Sequence, residues 1–160
     1  MPTSRNDVFD ALVKECDISF ESEFLPGANY TIAVRHGAEI HISSQLPRAN
    51  GKLIVSGHVG QEVSIEQGKF AATVTALRLL GILRQSIGCL SKVRHLLKMN
   101  VYVQSAPGFC QQSEVADGAS EVFYKVFGEA GTHARTSLGV SQLSKNGAVA
   151  IDLIAIIEDV

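Results

Sequence analysis

Arg135 and His133 are the side chains whose placement points most directly to chemistry. Arg135 falls in the segment Ala134-Arg135-Thr136-Ser137, among small residues with the alternation of a strand. A guanidinium fixed on a strand presents a planar, two-pronged donor that suits a carboxylate. His133 lies two residues earlier, in the loop Gly131-Thr132-His133 that leads into this strand. The remaining histidines, His36, His41, His58 and His95, form no pair at i, i+4 and have no cysteine at ligand spacing, so no metal or cofactor is expected. Ser43, Ser44 and Ser137 lie outside any Gly-x-Ser-x-Gly elbow, which argues against a serine hydrolase. Gly57 and Gly60 are followed by neither a dinucleotide fingerprint nor a Walker lysine. Cys110 stands at a helix start, where a dipole would favour a thiolate, but its expected role is that of a small buried filler.

The elements that must position these groups follow from hydrophobic period. Ser4, Asn6 and Asp7 precede Val8, Phe9, Leu12 and Val13, which predicts a short amphipathic helix in a 1–20 N-terminal extension, ahead of the main domain at 21–160. Two strands, Tyr30 to Val34 and Glu39 to Gln45, read as a hairpin around His36-Gly37-Ala38, and Lys52 to Val55 adds a third short strand. From Glu66 to Ile87 the period becomes helical through Phe70, Val74, Leu77, Leu80, Leu83 and Ile87, with Lys69, Arg78 and Arg84 on the exposed side and Gly88 as C-cap. Leu97, Met99, Val101 and Val103 then alternate with Lys98, Asn100, Tyr102 and Gln104, the signature of a strand buried on one face. A second helix starts at Phe109 or Ser113 and ends at Phe127 before Gly128. Strands from Ala134 to Gln142 and from Val149 to Ile157 complete the chain, and the last, apolar on both faces, belongs mid-sheet or against a partner. The fold class is α+β, a sandwich in which two helices cover one face of a mixed sheet. By parity the other face carries Lys98, Asn100, Tyr102 and Gln104, Arg135, Ser137 and Ser141, and Ile154 and Ile156. Too apolar for solvent and too polar for a core, that mixture suggests a subunit interface holding a polar pocket.

Composition bounds the rest. One hundred and sixty residues, 46% apolar and 19% charged, make one domain with ample core. A net charge of −2 gives no field to attract nucleic acid or anionic lipid. Three scattered cysteines, no signal-like apolar region and no membrane-length run predict a cytoplasmic protein in a reducing compartment.

At these residues the chain resembles the reactive-intermediate deaminase family, the Rid or YjgF-like proteins, also described as L-PSP endoribonuclease-like. The resemblance rests on Pro26 to Tyr30, Ser43-Ser44-Gln45-Leu46-Pro47, the helix Ala71 to Leu83, Met99 to Val103, and Ala134 to Ser137 followed by Leu143, in that order over residues 26 to 157. Val115 to Ser120 with Phe127-Gly128-Glu129 and His133-Ala134-Arg135 marks a divergent branch. The resemblance implies a chorismate-mutase-like fold and a homotrimer with pockets between subunits. It also implies hydrolysis of small enamine or imine acids, of the 2-aminoacrylate type, to 2-keto acids and ammonia. Arg135 then matches the holder of the substrate carboxylate, Tyr30 a pocket tyrosine, Ser44 a glycine close to the ligand, Ser137 a small pocket residue and Asp117 an asparagine at the pocket edge. A family glutamate that orients water falls at Ala150, with Asp152 the nearest acid on that strand. Asp117 or His133 is left to place the water beside Arg135. Loss of the glutamate equally suits a non-catalytic trimer that binds small carboxylates. RNA cleavage is disfavoured by the acidic balance and the lack of a basic, aromatic-lined stripe.

Overall fold

An apolar run that cannot be wetted on either face needs strands on both sides, and Val149–Ile157 (β7) has them. In the computed structural model, which describes residues 3–158, β7 lies between β2 (Glu39–Gln45) and β5 (Val93–Gln104), antiparallel to both. Outside them run β1 (Ala33–His36), paired with β2, and β6 (Ala134–Val140), paired in parallel with β5, giving the order β1-β2-β7-β5-β6. The parallel pair needs a crossover, and α3 (Gln112–Phe127) supplies it. This is the α+β architecture the periodicity predicts, with a mixed sheet and both long helices on one face.

Some boundaries moved. The first strand begins at Ala33, so Tyr30 lies in the loop before it. Lys52–Leu53 (β4) pairs with Arg48–Ala49 (β3) in a separate two-stranded ribbon. In β5 a register irregularity between Leu96 and Lys98 puts Leu96 in the core and leaves Leu97 exposed, where strict alternation buries Leu97.

Helix α2 (Ile65–Ile87) starts at a capping box, Ser64 with Gln67, and ends at Gly88, whose φ of 84° suits a residue without Cβ. It packs on the sheet, while α1 (Arg5–Glu15), itself opened by a Ser4–Asp7 capping box, lies against α2 and α3. This outer cover explains why α2 is buried around most of its girth. Arg78, expected on an exposed side, is 5% exposed. Its guanidinium donates to both oxygens of Glu21, at 3.1 and 2.7 Å, and to Gln45 Oε1 at 3.0 Å, above the ring of Phe24. Burial without such partners would be prohibitive. Phe70, by contrast, is 40% exposed despite its place in the apolar period.

The two long helices meet at Gly118. A Cβ there would stand 2.2 Å from the Lys69 carbonyl oxygen of α2, and Thr73 Oγ1 donates to both the Lys69 and Gly118 carbonyls at 3.1 Å. Backbone is thus close to backbone, and α3 is fixed in rotation against α2.

The Gly118→Ala variant should lose roughly 1–3 kcal/mol in urea unfolding, since the obstacle is main chain that cannot repack. Glu21→Gln should cost roughly 2 kcal/mol at neutral pH by weakening the charged hydrogen bonds to Arg78. The Arg78 hydrogen bonds hold the Glu21 carboxyl below its ordinary 4.5. Its stabilisation is therefore complete above that value and is lost as pH falls through the lower folded-state value. Acid unfolding curves of Glu21→Gln should accordingly show less dependence on pH in this range.

Candidate functional site

Parallel register decides which way Arg135 faces. It pairs with Met99, and Ser137 pairs with Val101, both fully buried beneath the helices. Arg135 and Ser137 therefore belong to the helix-covered side of β6, not to the open face where parity placed them. Ser141 lies beyond the end of β6 and is exposed. Gln104 is buried too, because residues 142–146 fold over it: its side-chain carbonyl accepts from Leu143 N at 2.6 Å and Gln142 Nε2 at 3.1 Å, and its amide donates to Asn146 at 2.7 Å.

Helix α3 offers Arg135 a polar stripe. Ser113, Asp117 and Ser120 recur at the i, i+4, i+7 spacing that puts them on one side of a helix, opposite the edge strand. Nη1 of Arg135 donates to Asp117 Oδ1 at 2.8 Å and to Ser120 Oγ at 3.1 Å. Nη2 donates to Ser113 Oγ at 2.7 Å and to the Ser113 carbonyl at 3.2 Å. These contacts use the four terminal N–H bonds of the fork, and Nε–H makes no hydrogen bond among the described residues. The side chain of Arg135 is 21% exposed and that of Asp117 51%, so the pair sits at a wetted edge.

His133 joins through Ser120. Its Nδ1 donates to the Gly131 carbonyl at 2.7 Å, which leaves Nε2 to accept from the Ser120 hydroxyl at 3.0 Å. The ring is stacked at 5.7 Å on Tyr124 and meets the edge of Phe123 at 5.4 Å. Burial lowers the affinity of this imidazole for a proton, and the nearby Arg135 charge adds to that effect while the Gly131 carbonyl opposes it. A neutral ring, a buried hydroxyl and a guanidinium thus form one connected brace.

Arg135, Asp117 and His133 are brought together; Tyr30 and Ser44 are not. Ser44 is exposed on β2, and Tyr30 lies before β1, its hydroxyl accepting from Gly27 N at 3.4 Å. Three strand spacings separate β2 from β6, about 14 Å at about 4.8 Å each. Ser137 is half-buried one pleat along from Arg135. Sequence reasoning does not single out Ser113 and Ser120, because α3 also carries Gln112, Glu114, Glu121 and Lys125 and two serines among them read as solvent-facing. Cys110, expected as buried filler, is exposed.

The open sheet face holds a second polar group. Asp152 accepts from Asn100 Nδ2 at 2.8 Å and Tyr102 Oη at 3.2 Å, and Lys98 Nζ donates to Thr136 at 2.6 Å. Ala150, opposite Tyr102 and 6% exposed, shares this face, so both Ala150 and Asp152 point away from the side that carries Arg135. Among the described residues no three His, Cys, Asp or Glu side chains converge as metal ligands, and no helix is long and apolar enough to cross a membrane.

A mixed sheet covered on one face by two helices is the fold of a known protein family. Residues 24–157 match the family model described as "YjgF/chorismate_mutase-like, putative endoribonuclease", and the chain belongs to that family. Protein TCP17 of Trypanosoma cruzi is 36% identical over 143 residues, 89% of each chain. The crystal structure of Atu1372 from Agrobacterium tumefaciens, a protein of unknown function, is 36% identical, with a TM-score of 0.85 over 96% of this chain and 95% of that one. RidA from an Antarctic Psychrobacter shares the fold at 24% identity and a TM-score of 0.60, covering 88% and 98%.

An NMR titration should place the His133 midpoint below the ordinary 6.5. The unfolded chain then takes up the proton first as pH falls, so folding stability is complete above 6.5 and declines on acidification toward the folded-state midpoint. His133→Gln should flatten that part of the stability profile.

Proposed function

We propose that this protein hydrolyses small enamine or imine acids to 2-keto acids and ammonia, in pockets shared between the subunits of a homotrimer. Arg135 holds the substrate carboxylate, Ser137 lines the same side of β6, and Tyr30 and Ser44 of a neighbouring subunit complete the pocket. The reaction asks little of the protein, because an imine carbon is already electrophilic and needs a held carboxylate and a placed water. Asp117 or His133 places the water: Asp117 Oδ2 makes no hydrogen bond among the described residues, whereas His133 Nε2 takes the water only by exchanging its bond to Ser120.

The observation that carries this reading is the bracing of Arg135 by α3. A guanidinium held in place by Ser113, Asp117 and Ser120 keeps its Nε–H edge open, so a carboxylate can approach there and take a second N–H by displacing one Nη bond. Separation of Tyr30 and Ser44 from Arg135 across the sheet supports a pocket that only assembly can complete.

A second reading, a trimer that binds small carboxylates without turning them over, is favoured by Ala150, whose methyl cannot orient water.

Coupled to a serine or threonine dehydratase, the purified protein should raise keto-acid release above the spontaneous rate, and Arg135→Ala should lower that gain at least tenfold. Equal rates from the two proteins would overturn the deaminase reading. Keto-acid binding in calorimetry without any turnover would select the binder. Sedimentation should give three times the 17.1 kDa chain mass.

A further inference from the structure

Arg135 already holds a carboxylate, and it belongs to this chain. Asp117 Oδ1 sits 2.8 Å from Nη1, while Oδ2 makes no hydrogen bond among the described residues and the side chain is half-exposed. A ligand carboxylate that takes two parallel N–H bonds must use Nε with one Nη, or both Nη groups. Either way it displaces a bond to Ser113, Ser120 or Asp117, and it comes to rest beside the Asp117 charge.

The helix places no cation within a turn of Asp117, since its one lysine, Lys125, stands in the last turn, about 12 Å further along the axis. The neighbours of Asp117 at three and four residues along α3 are Ser113, Glu114, Ser120 and Glu121. On the facing helix α2, Lys69 pairs with Glu121 at 3.8 Å, and His133 is committed to Ser120 and Gly131 as a neutral ring. With a simple anion bound, one guanidinium faces two carboxylates. With a zwitterion bound, the ligand's own positive nitrogen lies next to its carboxylate and restores balance against Asp117.

We infer that Asp117 makes the arginine site selective for zwitterions, α-iminium or α-ammonium carboxylates, over simple carboxylate anions such as 2-keto acids. The inference rests on the reading of Arg135 as the carboxylate holder. Its consequence for turnover follows from charge. A protonated 2-imino acid, R–C(=NH2+)–COO−, is neutral overall; with H2O it gives R–CO–COO− and NH4+, the water oxygen bonding to carbon as the C–N bond breaks and both water protons passing to nitrogen. The substrate fits the Arg135–Asp117 pair, whereas the keto-acid product leaves an unbalanced negative charge. Asp117 thus helps to expel product.

Two stable four-carbon probes separate the charges: L-2-aminobutyrate, a zwitterion, and 2-ketobutyrate, an anion. Titrated calorimetrically into the full-length protein at neutral pH, the zwitterion should bind at least about tenfold tighter. Asp117→Asn keeps the side-chain shape at a half-exposed position and should move the ratio at least about tenfold toward 2-ketobutyrate. A wild type that binds 2-ketobutyrate as tightly as aminobutyrate, or a ratio untouched by Asp117→Asn, would overturn the selectivity. Arg135→Ala reports on the underlying reading: if both affinities survive it, the carboxylate is held elsewhere and both proposals fall. Affinities lost in Arg135→Ala with no preference in wild type would remove the selectivity alone.

Discussion

The close approach of α3 to α2 at Gly118 is the contact on which the rest of the molecule turns. With no side chain between them, the Gly118 backbone meets the Lys69 carbonyl, and Thr73 ties both strands of main chain together. Once α3 is set at this depth and rotation, Val115, Ala119, Val122, Phe123 and Val126 face the core. The stripe Ser113, Asp117, Ser120 then has one place left to face, the edge strand β6. Arg135 meets it there because parallel pairing with β5 puts Arg135 in line with Met99. The site is thus set by helix packing at the residue next to Asp117.

Much of the fold could be read from hydrophobic period because most elements are buried on one side only. Helix α2 and strand β7 were placed within a residue of their ends. Misreadings came where a second layer intervened. Arg78 reads as a solvent-facing residue in the helix period, but Glu21, Gln45 and the ring of Phe24 cover it, and no local pattern announces that cover. The side of β6 was misread for a related reason. Its residues alternate small and polar on both sides, so the strand itself does not say which side is inner; only its register with β5 does.

The site was legible in part. Arg135 and His133 are conspicuous as residue types in a loop-to-strand setting, and Asp117 follows from the family resemblance. Ser113 and Ser120 are not conspicuous, since serine on a helix ordinarily marks solvent. Their role depends on a partner far away in sequence. The substitution at Ala150 carries a further lesson: a methyl stands on the open face, opposite Tyr102 and beside Asp152, so the acid nearest to it is already engaged by Asn100 and Tyr102.

Strand β7 occupies the middle of the sheet yet is synthesised after the strands on both sides of it. The β1–β2 hairpin and the β5–β6 pair have no hydrogen bonds to each other, and β7 alone joins them. Until Val149–Ile157 is made, the inner edges of β2 and β5 have no strand to pair with and the apolar slot between them has no filling. Such edges are sites for mispairing, and these long-range contacts close slowly. Productive folding waits until Ile157 has cleared the exit tunnel, and the vectorial order of translation makes the interval before that moment the one in which a chaperone has most to shield.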